Sequence, residues 1–84
     1  GAWMDTRKQV SLRIQQLCAT YGYNINSLAR KAGIPPSTLK NIVYGNSRNP
    51  GIVTIKLVCD GLGISLYDFF DSKVFRSVEM EDVE

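Results

Sequence analysis

The apolar positions of this chain fall at helical spacing in five short stretches, each bounded by a residue that starts or stops a helix. Over residues 6–21, Val10, Ile14, Leu17 and Cys18 form one apolar stripe, with Leu12 off it. Gly22 is placed to end that helix in a left-handed cap. Asn24 suits the N-cap of a second helix, with Tyr23 and Leu28 at the spacing of a hydrophobic staple. Leu28, Ala29 and Ala32 define its inner side, and Gly33 stops it. Two prolines follow at once. Pro36 holds Pro35 extended, as a cap requires, and suits the first helical position, where a missing N–H costs nothing. The third helix then runs over residues 36–44 with Leu39, Ile42 and Val43 inward, and turns Ser37, Lys40, Asn41 and Tyr44 toward one side. Gly45 ends it, and "GNSRNPG" is a loop by composition. A fourth helix is expected over residues 52–62, with Ile55, Val58, Cys59 and Leu62 inward and Gly63 as terminator. Ser65 and Asp68 are spaced as a capping box for a short fifth helix carrying Leu66, Phe69 and Phe70. The tail "SKVFRSVEMEDVE" has no clear period and turns acidic. No strand signal and no repeat is present, so the fold class is all-α.

The second and third helices carry a more specific pattern. Two helices crossing steeply across a tight turn need a small residue at the crossing, a residue tolerant of positive φ in the turn, and branched aliphatic residues facing back. Ala29, Gly33, Leu39 and Ile42 meet these needs in order, with Leu28, Ala32 and Ile34 at the other inward positions. This is the pattern of a helix-turn-helix.

Composition and charge narrow the function. At 84 residues and 44% apolar content, the chain suits one small globular domain. The N-terminal "GAW" reads as a tag remnant, leaving a domain over 4–71 and an acidic tail over 72–84. No apolar run approaches the roughly 18 residues of a membrane span. The net charge is only +2, but it is unevenly placed. Arg7, Lys8, Arg13, Arg30, Lys31, Lys40, Arg48 and Lys56 lie in a span from 6 to 59 that has no acid, whereas seven of the eight acids lie from Asp60 onward. A segment of one sign is a candidate footprint for a polyanion. Without histidine, Cys18 and Cys59 are too few to build a zinc site, and they read as buried, reduced thiols of a cytoplasmic protein. No phosphate loop, activated nucleophile or carboxylate pair on one element suggests an enzyme, and no cofactor or small-molecule ligand is expected.

The run "NINSLARKAGIPPSTLKNIVYG", the loop with "RNP", the helix "VTIKLVCDGLG" and "SLYDFF" together resemble the phage-repressor (Cro/C1, or XRE) helix-turn-helix family. The resemblance spans residues 10–70 and includes the flanking helices as well as the turn. It implies a compact five-helix bundle of the lambda-repressor-like kind, whose third helix enters the major groove of double-stranded DNA. On that resemblance, Pro36, Ser37, Lys40 and Asn41 match base-contacting positions, with Asn suited to adenine and Lys to guanine acceptors. Asn24, Ile25, Tyr44, Asn46, Ser47 and Arg48 match phosphate-contacting positions. The sequence departs from the family at three places. Pro36 offers only apolar contact, and Ile25 replaces a glutamine anchor. Val43 and Cys18 replace a buried Glu–Arg pair, a joint change that packing tolerates; these two are expected to touch.

The expected function is that of a small, sequence-specific transcriptional regulator. The alternative on the same fold is a protein-interaction module, an antitoxin or adaptor, for which Leu12, Ile25, Val74, Phe75 and Val78 are the apolar candidates. Few base contacts per domain favour action as a dimer. The fifth helix with Val74, Phe75 and Val78 is the expected contact, unless those side chains fold back over the bundle and extend its core. The expected core is Val10, Ile14, Leu17, Leu28, Ala29, Leu39, Ile42, Ile55, Val58, Leu62, Leu66 and Phe69.

Overall fold

A computed structural model of the protein describes residues 5–45 and 49–76. Five α-helices follow in order: α1 (Thr6–Tyr21), α2 (Ile25–Ala32), α3 (Pro36–Tyr44), α4 (Ile52–Leu62) and α5 (Leu66–Phe70). A 3₁₀ turn, Lys73–Phe75, ends the described chain. No strand occurs among the described residues.

Local chemistry sets these boundaries. Asp5 caps α1, its carboxylate accepting from the Lys8 N–H at 2.9 Å. Asn24 and Ser27 form a reciprocal box at the start of α2: Asn24 Oδ1 accepts from the Ser27 N–H at 2.8 Å, and Ser27 Oγ from the Asn24 N–H at 3.0 Å. Ser65 and Asp68 repeat the device at α5. Pro35 stands extended as the N-cap of α3, with Pro36 in its first position.

Helices α1, α2 and α4 end alike. In α2, Gly33 takes φ 74°, and the next N–H, that of Ile34, reaches back to the Ala29 carbonyl at 3.0 Å. The carbonyls orphaned at the helix end are thereby satisfied, and the chain turns sharply enough for α3 to cross α2. An alanine at 33 would strain the backbone by about 1–2 kcal/mol.

The core draws on every helix. Val10, Ile14, Leu17, Cys18, Leu28, Ala29, Leu39, Ile42, Val43, Ile55, Val58, Cys59 and Phe69 are among its buried residues, so Cys18 and Val43 share one cluster. Helix α1 packs on α3, and α2 packs on both α3 and α4. Gly61 makes the α2–α4 contact possible: a Cβ there would stand 3.1 Å from the Ala32 Cα and N. Two expected core members differ. Leu62 and Leu66 are half-buried at the α4–α5 corner and pack against the cluster from its edge.

Arg13 changes the picture drawn from charge alone. Its guanidinium reaches from α1 to the end of α5, donating to the Phe69 carbonyl at 2.6 Å and the Asp68 carbonyl at 2.8 Å. It ties down a helix end, and so does not belong to a free basic face. Inside the bundle, Ser11 Oγ donates to the Val43 carbonyl at 2.7 Å, joining α1 to α3.

Candidate nucleic-acid interface

The burial of Leu39, Ile42 and Val43 decides which side of α3 faces out. Opposite them, Ser37, Asn41 and Tyr44 stand at spacing i, i+4, i+7, one above another along the helix. All three are exposed, Tyr44 at 70%. Lys40 flanks this row on one side and Thr38 on the other, both exposed. Thr38 is not among the positions that the resemblance marks for contact. Pro36 is half-buried at the head of the helix, consistent with a helix-starting task.

Asn41 has a particular seat. Its Oδ1 would lie 2.6 Å from a Cβ at position 45. Gly45 therefore leaves the space into which the Asn41 amide folds.

The phosphate-contact positions divide into three groups. Tyr44 is exposed at the end of α3. Asn24 is exposed, but its Oδ1 is engaged in capping α2, leaving its amide NH₂ to face outward. Ile25 is half-buried and packs against the core, so its side chain makes no exposed apolar feature. Its phase explains this, since it lies three and four residues before the buried Leu28 and Ala29. Asn46, Ser47 and Arg48 lie outside the described residues, as does Val78.

The electrostatics of the basic span sharpen in the same way. Arg7 lies 3.6 Å from Asp5, and Lys56 pairs with Asp60. Among the described residues no carboxylate pairs with Arg30, Lys31 or Lys40. Positive charge without an internal partner thus remains at the end of α2 and on α3, the two halves of the helix-turn-helix.

The arrangement matches a known family. The model of the Cro/C1-type helix-turn-helix DNA-binding domain matches residues 13–73. The chain belongs to this family. It is 33% identical over 64 residues to the HTH-type transcriptional regulator SinR of Bacillus subtilis (strain 168), a match covering 76% of this chain and 58% of that protein. The chain thus spans little more than half the length of this curated relative. It also resembles a protein of known crystal structure, the prophage Lp1 protein 11, with a TM-score of 0.77 and 38% identity over 89% of this chain and 100% of that one. The five-helix bundle with its helix-turn-helix is accordingly the family's fold, and the chain is a DNA-binding domain.

The two thiols lie elsewhere. Cys18 and Cys59 are free and buried, and burial raises both above the ordinary thiol pKa. No group of three or more metal-ligating residues gathers among the described residues. No described helix is long and apolar enough to cross a membrane.

Proposed function

We propose that this domain binds double-stranded DNA sequence-specifically as a small transcriptional regulator, with α3 in the major groove. The observation that carries this reading is the polar face of α3. Ser37, Lys40 and Asn41 are exposed together on a short helix whose opposite side is locked into the core. Asn41 and Lys40 read base edges, Ser37 and Pro36 contact the same step, and Tyr44, Asn24 and the loop residues Asn46, Ser47 and Arg48 hold phosphates. Ile25 contributes only its backbone N–H at the helix start. The regulatory role draws on the likeness to SinR, a transcriptional regulator by its name.

Two copies act together, because one such domain reads too few base pairs to be specific in a genome. On DNA they stand about one helical turn apart, roughly 34 Å. The fifth helix and tail are one place for their contact. There, Phe75 packs its ring against Phe70 at 4.9 Å and Phe69 at 6.1 Å, and Val74 is half-buried. What α5 presents outward is Tyr67 and Phe70, 75% and 37% exposed.

Selection of binding sites from random duplex DNA, repeated at two salt concentrations, tests the reading. A recovered consensus is the expected result. Recovery of no consensus, with affinity that simply disappears as salt rises, would leave a nonspecific binder and refute specific readout.

A further inference from the structure

Helix α3 ends unlike its neighbours. Gly22, Gly33 and Gly63 close α1, α2 and α4 at φ between 72° and 77°, whereas Gly45 closes α3 at φ −101°, outside the left-handed region. The bonds that satisfy the last carbonyls of the other three helices depend on that left-handed residue, so the last turn of α3 is held by other means. One is a bond from α1: the Ser11 hydroxyl donates to the Val43 carbonyl at 2.7 Å. Ser11 is the one polar side chain buried among the described residues. A hydroxyl costs free energy to bury, and inside a helix it can instead bond a carbonyl of its own helix. Here Gln15 Nε2 donates to Ser11 Oγ at 3.1 Å, occupying an oxygen lone pair and leaving the hydroxyl proton for Val43.

We propose that Ser11 is a positioning residue for base readout: its hydroxyl fixes the last turn of α3 and, through that turn, the direction in which Asn41 presents its amide. The inference rests on the reading of α3 as the base-reading helix, and it adds a residue that sets specificity from a buried seat. The path is short. Val43 lies two residues beyond Asn41 in the same turn. The Gly45 N–H donates to the Asn41 carbonyl at 3.0 Å, and the bare Cα of Gly45 leaves the space into which the Asn41 side chain folds. A last turn that frays moves Gly45, and the seat of the Asn41 amide moves with it. The head of α3 has its own anchor, since Pro36 fixes φ in the first position. Ser37 stands beside that anchor, so its direction does not depend on Ser11.

The test is duplex binding by the full chain and by Ser11→Ala, Gln15→Ala, Asn41→Ala, Ser37→Ala and the double variant of Ser11→Ala with Asn41→Ala. Thermal melting confirms that each folds, and each is assayed well below its own midpoint. Competition among single-base variants of the selected site gives the discrimination at each base pair. Ser11→Ala is expected to lose about two- to tenfold, the reach of one hydrogen bond, at the base pairs that Asn41→Ala affects, and nothing at those that Ser37→Ala affects. Gln15→Ala should shift the same base pairs by less. In the double variant Ser11→Ala should add no further loss there, because the amide it orients is gone. Affinity for duplex without the site, and its salt slope, should stay as in the wild type, since no charge changes. An equal loss on every duplex, or a fully additive loss in the double variant, would assign Ser11 a structural role alone and overturn the proposal. So would a Ser11→Ala protein that melts lower yet discriminates as the wild type does, which leaves readout by α3 standing. An Asn41→Ala protein with unchanged preference removes the group that Ser11 orients, and the proposal with it. Should Ser11→Ala not fold, the exposed Gln15 takes its place: Gln15→Ala, alone and combined with Asn41→Ala, decides by the same criteria. A wild type that selects no site refutes the reading of α3 itself, and the positioning role falls with it.

Discussion

Individual side chains have separable tasks. Asn41 is held on the outward row of α3 with room for its amide above Gly45. Replacing it by alanine should therefore cost discrimination at one or two base pairs, about 1–3 kcal/mol for a lost bidentate contact, without affecting stability. Competition between the selected duplex and single-base variants measures this. Unchanged preference would refute readout by this residue. Gly45→Ala should blur the same positions, because its Cβ takes the space of the Asn41 Oδ1. The thiols make a different prediction. Burial raises the pKa of both Cys18 and Cys59 in the folded chain. Below the unfolded thiol pKa of about 8.5 both states hold their protons, and the folded state keeps its full stability. Above it the unfolded chain loses protons first, so stability falls as pH rises toward the folded values. Urea midpoints should thus drop between about pH 7.5 and about pH 9.5, and the drop should shrink in Cys59→Ala, whatever that change does to the absolute midpoint.

The helices depend on one another at a few contacts. Helix α5 has only five residues, too short to persist on propensity. Its capping box holds one end, and the Arg13 guanidinium holds carbonyls at the other. Arg13→Ala should destabilise the domain by about 1.5–3 kcal/mol, the range for hydrogen bonds to a charged group. Amide exchange should speed up most in α5 and the 3₁₀ turn, and little in α2 and α3. Uniform acceleration across all helices would show that Arg13 serves global stability instead. At the opposite contact, Gly61→Ala would press a methyl group onto the backbone of Ala32. Separating α2 from α4 costs about 1–3 kcal/mol, as overpacking typically does. That strain falls on the helix-turn-helix, so DNA affinity should drop along with the melting temperature.

Across the whole molecule, charge is sorted between faces. Arg13, Arg7 and Lys56 are engaged with groups of their own chain, whereas Arg30, Lys31 and Lys40 are left without an acidic partner among the described residues. The field that attracts DNA therefore comes from fewer cations than the basic span contains. The logarithm of affinity for duplex of any sequence should fall linearly with log salt, and each phosphate contact removed should flatten the slope by about 0.9. Arg48→Ala should do so, weakening all duplexes alike, while Asn41→Ala should leave the slope unchanged. Titrations at several salt concentrations separate the two. If Arg48→Ala altered sequence preference and left the slope alone, the division into anchoring and reading residues would be wrong.

Much of this architecture was legible in the residues themselves, because helix ends are local events. The bounds of α2, α3 and α4 follow from Asn24, Gly33, the Pro35–Pro36 pair, Gly45 and Gly63, each acting through its own φ or a hydrogen bond only a few residues long. The inward stripes follow from 3.6-residue periodicity, and so does the outward row of Ser37, Asn41 and Tyr44. What the sequence could not decide involves partners far apart in the chain. Arg13 reads as one more surface cation until the carbonyls of Asp68 and Phe69, 55 and 56 residues away, are brought to it. Gly61 shows no purpose in the sequence, and only the packed bundle sets the backbone of α2 against it. The sequence leaves Phe75 open between a dimer surface and a fold-back over the bundle, and the 3₁₀ turn lays it on Phe69 and Phe70. Ile52, Val53 and Leu57 stand off the inward stripe of α4, and only the packed bundle shows that they stay exposed. Periodicity determines which residues share a face; only tertiary packing determines which faces are left over.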